Sequence, residues 1–484
     1  MNYIRERWNN FSSGQKRYMI ILCVLSLVLR LGYAFTVDLV PMDMTGVDLD
    51  AVEYDYLGWS VANGHGYTDR EGNPNSIRFP GYVFFLTVIY FLFGRHHEIV
   101  LVIQAFIGVI SPLLIYAAAR HLFSEKVSRI AGILAAIHPV WIWYVGWLMT
   151  ENIFMPLLNA LIYLTVRMRR NANWKQLALM GILIGGLGLT RGIGLPFWGI
   201  IPAYVFFKSG NGFGNRFKQA FIVWAFALLT LTPWTIRNYL NYDQIMLPSS
   251  EGPGILWMAV NMEHTNISDW YKLDDGFAYV DSVGRENATS EEFYWILNQH
   301  NHFGYIGARL LFARVYPDES IPESDADAMT RLGEKAKISL RESPESWLFR
   351  SILQIPRFWH VLDERGRYVN GYAYIIPFFF IGFFLMIRRF VALIPLYIFP
   401  AVLYMLSLAL WADARFRMPF EGVFMIVGAV AMERFIRWFK RPFIAYSLLT
   451  AWFLFNYYLR LHSHDVRMTI RAVLAAVGFP IGDM

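Results

Sequence analysis

The chain has 484 residues and a formal net charge of +6; 56% of its residues are hydrophobic, 17% aromatic and 17% charged. Soluble domains carry roughly a quarter charged residues and cannot hide this much apolar surface, which excludes the soluble classes of enzyme and binding module. The positive balance does not point to nucleic acid, because Lys and Arg cluster in short loops between apolar runs, as in the cytoplasmic loops of membrane proteins. The single cysteine, Cys23, excludes an intrachain disulfide.

In chain order, Arg5, Arg7, Lys16 and Arg17 precede an apolar run over about 19–37. The run is long for a signal peptide and lacks a small-residue cleavage site, so it reads as an anchor with a cytoplasmic N-terminus. Residues 38–98 then form a first outer loop. Its apolar stretch 80–93 is short for a crossing and reads as an interfacial helix. Further spans are expected at about 99–119, 130–148, 151–166, 176–190, 193–207 and 219–236. Basic loops at 120–129, 167–175 and 208–218 fall on one side; Asp50, Glu151 and Arg191 fall on the other. Residues 237–370 are polar and read as a large outer loop or domain, with capped amphipathic helices at Ser290–Phe293 and Ala326–Leu340. The last spans are expected at about 372–387, 391–411, 419–433 and 443–459. The sum is an all-α polytopic membrane protein with about eleven transmembrane helices. It divides into a transmembrane module (1–236), an outer domain (237–370) and C-terminal helices with a tail (371–484).

Carboxylates beside so much lipid-soluble sequence are expensive unless they sit in water or have a function. The first outer loop holds Asp48, Asp50 and Glu53, and Asp50 followed by Glu53 also matches a capping box. Tyr54 follows, then Gly64-His65-Gly66-Tyr67 and Arg78-Phe79-Pro80-Gly81-Tyr82, where Pro80 suits a helix start. Arg78 reads either as an interfacial anchor or as a phosphate clamp, since a guanidinium fork matches phosphate oxygens. Glu151 stands at the outer end of a span, Arg191-Gly192 interrupts an apolar run, and Arg237 closes the Pro233-Trp234-Thr235-Ile236-Arg237-Asn238 segment. Arg415 and Arg417, in Asp413-Ala414-Arg415-Phe416-Arg417-Met418-Pro419, lie on an outer turn against the charge rule, and a lipid phosphate would be their natural partner. There is no Gly-rich nucleotide loop and no zinc-type Cys/His set. His96-His97 and His462-x-His464 read as solvated histidines. Asn266-Ile267-Ser268 and Asn287-Ala288-Thr289 match the N-glycosylation pattern, which matters only in a secretory host.

Taken in order, these motifs resemble the GT-C superfamily of membrane glycosyltransferases. They are similar in particular to the bacterial branch related to the dolichyl-phosphate-mannose:protein mannosyltransferases and to the lipid A aminoarabinose transferase. The resemblance runs over nearly the whole chain and rests on the ordered set, not on one motif. It implies an inverting transfer of a sugar from a polyprenyl-phosphate donor to a hydroxyl acceptor outside the cytoplasm. It assigns Asp50 to the catalytic aspartate, Glu151 to the second acid, Arg78 to the cation before the Pro-Gly turn, and Arg415 and Arg417 to the late arginine pair. Two departures stand out. Ala51 replaces the acid that often follows the first aspartate, which leaves Asp48, Asp50 and Glu53 in competition as base. Met258-Ala259-Val260-Asn261 only partly matches a Gly-Asn-Asn-like segment.

The residues fit that chemistry on their own terms. A carboxylate can take the proton of an attacking hydroxyl, and fixed arginines can stabilise a departing phosphate. The expected donor-phosphate ligands are Arg78, Arg191, Arg237, Arg415 and Arg417, and the expected pocket residues are Tyr54, Tyr82 and Asn261. No cofactor is required, and a divalent metal is compatible with the site. The expected partners are a lipid-linked sugar, an acceptor lipid, glycan or protein, and membrane lipids. The alternatives are transfer of a larger lipid-linked glycan or other group by a related enzyme, and transport. Transporters show matched halves and broken midplane helices, whereas here the polar residues gather on one face.

Overall fold

The computed structural model describes residues 11–37, 49–69, 72–210, 212–261, 309, 312, 315, 316, 318–359, 373–410, 414–462 and 469. Among them there is no strand, only an isolated bridge between Thr68 and Pro74. Asp48, Asp413, the stretch Ser290–Phe293 and both glycosylation patterns lie outside the described residues.

The N-terminal helix α1 (Ser13–Ala34) starts in a reciprocal cap: Gln15 donates its backbone N–H to Ser12 Oγ, and Ser12 donates its own to Gln15 Oε1. It packs against α4 (His97–Gly108), α5 (Ile110–Leu122) and α6 (Glu125–Ala136). Between them in sequence, α2 (Leu49–Ala62) and α3 (Pro80–Phe93) pair closely; a Cβ at Gly58 would stand 2.7 Å from Leu86 Cβ. After α6 come α7 (Pro139–Trp143), α8 (Glu151–Val166), α9 (Trp174–Thr190), α10 (Phe197–Lys208) and α11 (Gly212–Tyr242). The strongest helix pairing joins α9 to α11. Gly181 and Gly185, four residues apart on α9, press on Val223 O and on Thr230 Cβ, leaving no room for a side chain. Small residues at this spacing bring membrane helices into close approach.

Among the described residues, four helical stretches are long and apolar enough to cross a membrane: Ser13–Ala34, His97–Leu122, Gly212–Tyr242 and Ile387–Ala409. A bent pair, Glu125–Ala136 with Pro139–Gly146, turns by 44°, and five shorter apolar helices accompany them, Pro80–Phe93 among these. Apolar side chains such as Phe91, Leu92, Phe207 and Leu240 point outward from the bundle, as in an integral membrane protein. Two sequence-based boundaries need correction. The straight span expected over 130–148 is broken at Ile137–His138, because Pro139 opens a new helix and cannot continue the old one. The module boundary expected at 236 falls inside α11, which carries the chain six residues further to Tyr242.

The described part of the region between α11 and the C-terminal helices has a small helical core of its own. It consists of α12 (Glu251–Asn261) and α13 (Asp325–Glu342), and α14 (Pro344–Trp359) runs from it to the bundle, where Phe358 joins the main core. Trp257, Val260, Phe312, Leu332 and Ala336 form its core. Ser324 caps α13 by accepting from Asp327 N, in accord with the capped helix expected there. The last described helices are α15 (Ile376–Leu385), α16 (Ile394–Ala409), α17 (Glu421–Trp438) and α18 (Pro442–Leu461).

Candidate active site

The site is built where α2, α3, α8, α9 and α12 present their ends to one another. Asp50 lies in the first turn of α2, and one turn later Glu53 faces the same way. Glu53 does not fold back to cap its helix. It reaches across to the segment before α3, where it accepts from Arg78 Nε and, at 3.2 Å, from Asn75 Nδ2. Asp50 Oδ1 holds Arg78 Nη1 at 2.8 Å. One guanidinium thus pins two carboxylates, in the geometry that Arg provides and Lys does not. The Arg78 guanidinium also lies over the Tyr54 ring at 5.6 Å.

The second acid is fixed differently. Glu151 starts α8 and is fully buried, paired with Arg191 at the end of α9; Thr150 Oγ1 accepts from the same Arg191 nitrogen at 3.1 Å. A buried carboxylate persists only with such a partner. Arg191 covers the Phe416 ring at 5.6 Å. Asn152 anchors the start of the helix by donating to Tyr144 O and Trp147 O.

The sequence did not single out Glu251, the first residue of α12. Its placement follows from a zipper between distant segments. Ser250 N donates to Ser76 O at 2.9 Å, the Ser76 and Ser250 hydroxyls bond at 2.9 Å, and Ser249 Oγ donates to Ile77 O. Trp234 Nε1 and Asn238 Nδ2 both donate to Pro248 O at 2.8 Å and hold the segment before α12 in place. This sets Glu251 within electrostatic reach of Arg78, Asp50, Arg191 and Glu53. Burial lifts its carboxyl above the usual carboxylate range; Arg78 opposes that shift and Asp50 reinforces it. Among the described residues Glu251 makes no ion pair. The readable signal was an acid after Pro248-Ser249-Ser250, and a first-turn glutamate is by default a helix-dipole partner.

Other expected site residues have structural tasks. Arg237 donates to Asn75 O at 2.8 Å and to Tyr67 O at 2.9 Å, and stacks on Trp234 at 4.8 Å; it ties the segment between α2 and α3 to α11 and leaves its fork occupied. Tyr82 is wholly buried and donates to Gln104, which itself donates to Val145 O and Trp147 O. Tyr54 is buried under Arg78, edge-on to Tyr82 at 5.5 Å. Asn261 donates to Trp257 O at 3.1 Å and accepts from Ser339 at 3.1 Å, within the α12–α13 unit. Arg417 is fully buried, bonded to Glu421 at 3.2 Å and to Phe358 O. The side chain of Arg415 lies outside the described residues. Asp55, also unanticipated, accepts from Tyr90, Arg95 and His97 and locks α2 to the corner between α3 and α4. No set of three or more His, Cys, Asp or Glu side chains converges in metal-binding geometry among the described residues.

Residues 75–236 match the family model described as dolichyl-phosphate-mannose-protein mannosyltransferase. No curated protein matches the chain. Among solved structures, the oligosaccharyltransferase AglB from Archaeoglobus fulgidus, in complex with an inhibitory peptide and a dolichol-phosphate, matches with a TM-score of 0.53 at 16% identity. The match covers 94% of this chain and 56% of that one. The same organism's enzyme, tethered to an acceptor peptide, matches with a TM-score of 0.50 at 16% identity, covering 93% and 54%. ArnT from Cupriavidus metallidurans matches at 0.37 and 14% identity, covering 88% and 81%. The chain therefore spans a little over half the length of the oligosaccharyltransferase whose fold it shares. The match over residues 75–236 and the fold shared with an oligosaccharyltransferase agree with the resemblance read from the sequence.

Proposed function

We propose that the chain is an inverting glycosyltransferase that moves a sugar from a polyprenyl-phosphate donor to a hydroxyl acceptor, in the plasma or inner membrane, with its site on the extracytoplasmic side. The observation that carries this reading is the cluster of Asp50, Glu53, Arg78 and Glu251 beside the buried Glu151–Arg191 pair, at one end of an apolar helical frame. The family match supports a lipid-phosphate sugar donor, and the shared fold is that of an enzyme bound to dolichol-phosphate.

In this reading the acceptor oxygen attacks the anomeric carbon as the carbon–oxygen bond to phosphate breaks, with inversion. The acceptor's proton passes to Asp50, and the electron pair of the broken bond leaves on the polyprenyl phosphate. Arg78 holds Asp50 and Glu53 in position, while Arg191, with Arg415, offsets the charge that develops on the leaving phosphate. Glu251, unpinned and facing this cluster from the outer domain, orients the acceptor hydroxyl. The fold shared with an oligosaccharyltransferase favours a second reading, transfer of a larger lipid-linked glycan by the same chemistry.

The test is turnover of a panel of polyprenyl-phosphate sugars and lipid-linked oligosaccharides by the purified protein in lipid, alongside Asp50→Asn. Release of polyprenyl phosphate that drops by about 10²-fold or more in the variant supports the reaction and the base. Undiminished release in a folded Asp50→Asn variant would remove the base assignment, and no release from any donor with any acceptor would remove the function.

A further inference from the structure

A second site lies far from the acids. Helices α15 and α17 pack side by side, and both start near His138: Tyr374, just before α15, has its ring 6.0 Å from the His138 ring, and Glu421, the first residue of α17, pairs with His138 at 3.0 Å. His138 opens the turn that leads to Glu151, so the other ends of α15 and α17 point away from the site described above. At those ends the helices part around a groove of about 680 Å³. Its walls are Phe378, Ile381 and Leu385 on one side and Ala431, Phe435 and Trp438 on the other, with Arg434 and Arg437 at its edge. The volume is that of a small-molecule site.

The charge around the groove is one-sided. Arg437 pairs with Glu433 at 2.8 Å, whereas Arg434 is exposed and makes no ion pair among the described residues. Arg388 and Arg389 follow directly after α15, and Lys440 and Arg441 directly after α17. Arg434 and Arg437 thus line an apolar trough, and the sequence sets four more cations just past the two helix ends. Lipid tails match the walls, and the exposed guanidinium of Arg434 matches an anionic head. A ligand with apolar chains and one anionic head satisfies both, and a phosphate oxygen is the natural match for an open guanidinium. We propose that this groove binds an anionic phospholipid, with acyl chain in the trough and phosphate on Arg434. The site is separate from the catalytic cluster and does not depend on the reaction assigned there.

The experiment places the full chain in bilayer discs of phosphatidylcholine doped with phosphatidylglycerol, then reads the lipids retained on release into detergent by native mass spectrometry. The expected result is enrichment of phosphatidylglycerol that falls roughly fivefold in Arg434→Ala and largely returns in Arg434→Lys. Leu385→Glu, which sets a negative charge into the trough, should also remove the enrichment while the protein melts as before. Equal retention of both lipids by the native chain would overturn the proposal, as would enrichment that survives Arg434→Ala and Leu385→Glu. A dimer held through this face without lipid, or enrichment gained on deleting residues 463–484, would show that the groove has another occupant.

Discussion

Gly81 is the point where the start of α3 bears on the end of α9, next to Arg191. It sits one residue into α3, three residues after Arg78, and faces the end of α9, where Thr190 precedes Arg191. A Cβ added there would stand 2.7 Å from Thr190 Oγ1 and 3.0 Å from Leu189 O, where ordinary contact begins at 3.4 Å. Thr190 Oγ1 cannot simply swing away without cost, because it donates to Gly186 O at 2.7 Å; Leu189 O is backbone. In Gly81→Ala the start of α3 must therefore retreat by about half an ångström or the end of α9 must yield. Overpacking of this kind costs about 1–3 kcal/mol. The displacement also separates Arg78, with its two carboxylates, from Arg191, and a 1 Å error in catalytic geometry can cost about 10²-fold. The expected outcome is a loss of turnover of about ten- to a hundredfold together with a lower melting temperature, read by polyprenyl-phosphate release and by thermal unfolding in detergent. Gly199→Ala is the control: nothing lies within 4 Å of its added Cβ, and alanine is the better helix former by about 1 kcal/mol. If Gly81→Ala turns over and melts as the native chain does, the coupling between α3 and α9 is not what sets the site.

Two further predictions address charge. Burial alone would raise the Asp55 carboxyl, but the hydrogen bonds and charges of His97 and Arg95 outweigh it and hold the group at about 2, against 3.8 for a free side chain. A depressed carboxylate adds stability above its unfolded pKa and loses it as pH falls toward the folded one. Asp55 should therefore contribute about 2 kcal/mol at neutral pH, fading between about pH 4 and pH 2; denaturant unfolding of the native chain and Asp55→Asn should differ at pH 7 and converge at the acid end. For Glu251→Gln the acceptor KM should rise by about tenfold or more with a smaller fall in kcat, because a lost orienting contact acts mainly on binding. A fall in kcat of about 10²-fold or more would instead move the base from Asp50 to Glu251.

Much of the frame was legible because lipid solvent writes itself into sequence as long apolar runs. The runs at 19–37, 99–119 and 391–411 correspond to Ser13–Ala34, His97–Leu122 and Ile387–Ala409. What the runs do not show is where a helix stops being straight. Residues 130–148 are as apolar as a span, yet His138-Pro139 divides them. The His138 ring accepts from Trp141 N at 3.3 Å and starts a fresh helix there. The proline was visible; its effect depended on a capping side chain just before it. Nor does hydropathy distinguish Gly181 and Gly185 from other apolar positions, although the α9–α11 contact exists only because they lack a side chain.

The site was legible as a set of residue types and hidden as a set of partners. Asp50, Glu53 and Arg78 lie within one loop, so their association could be anticipated, though not that Arg78 would be occupied by the two acids rather than open for phosphate. Glu151 and Arg191 are forty residues apart and were singled out separately. Their pairing follows from burial: neither can be desolvated alone, and each solves the other's problem. Glu251 depends on bonds such as that between Ser76 and Ser250, which are 174 residues apart. No local pattern encodes that contact, because both serines are ordinary loop residues until α11 turns the chain back on the first loop. Asp50 and Glu53 are both held by the Arg78 guanidinium. Glu251 makes no ion pair among the described residues, and burial lifts its carboxyl above the usual range. The fold thereby sets two kinds of carboxylate beside one another, one pinned and one open, and a transfer that must both place an acceptor hydroxyl and remove its proton needs that difference.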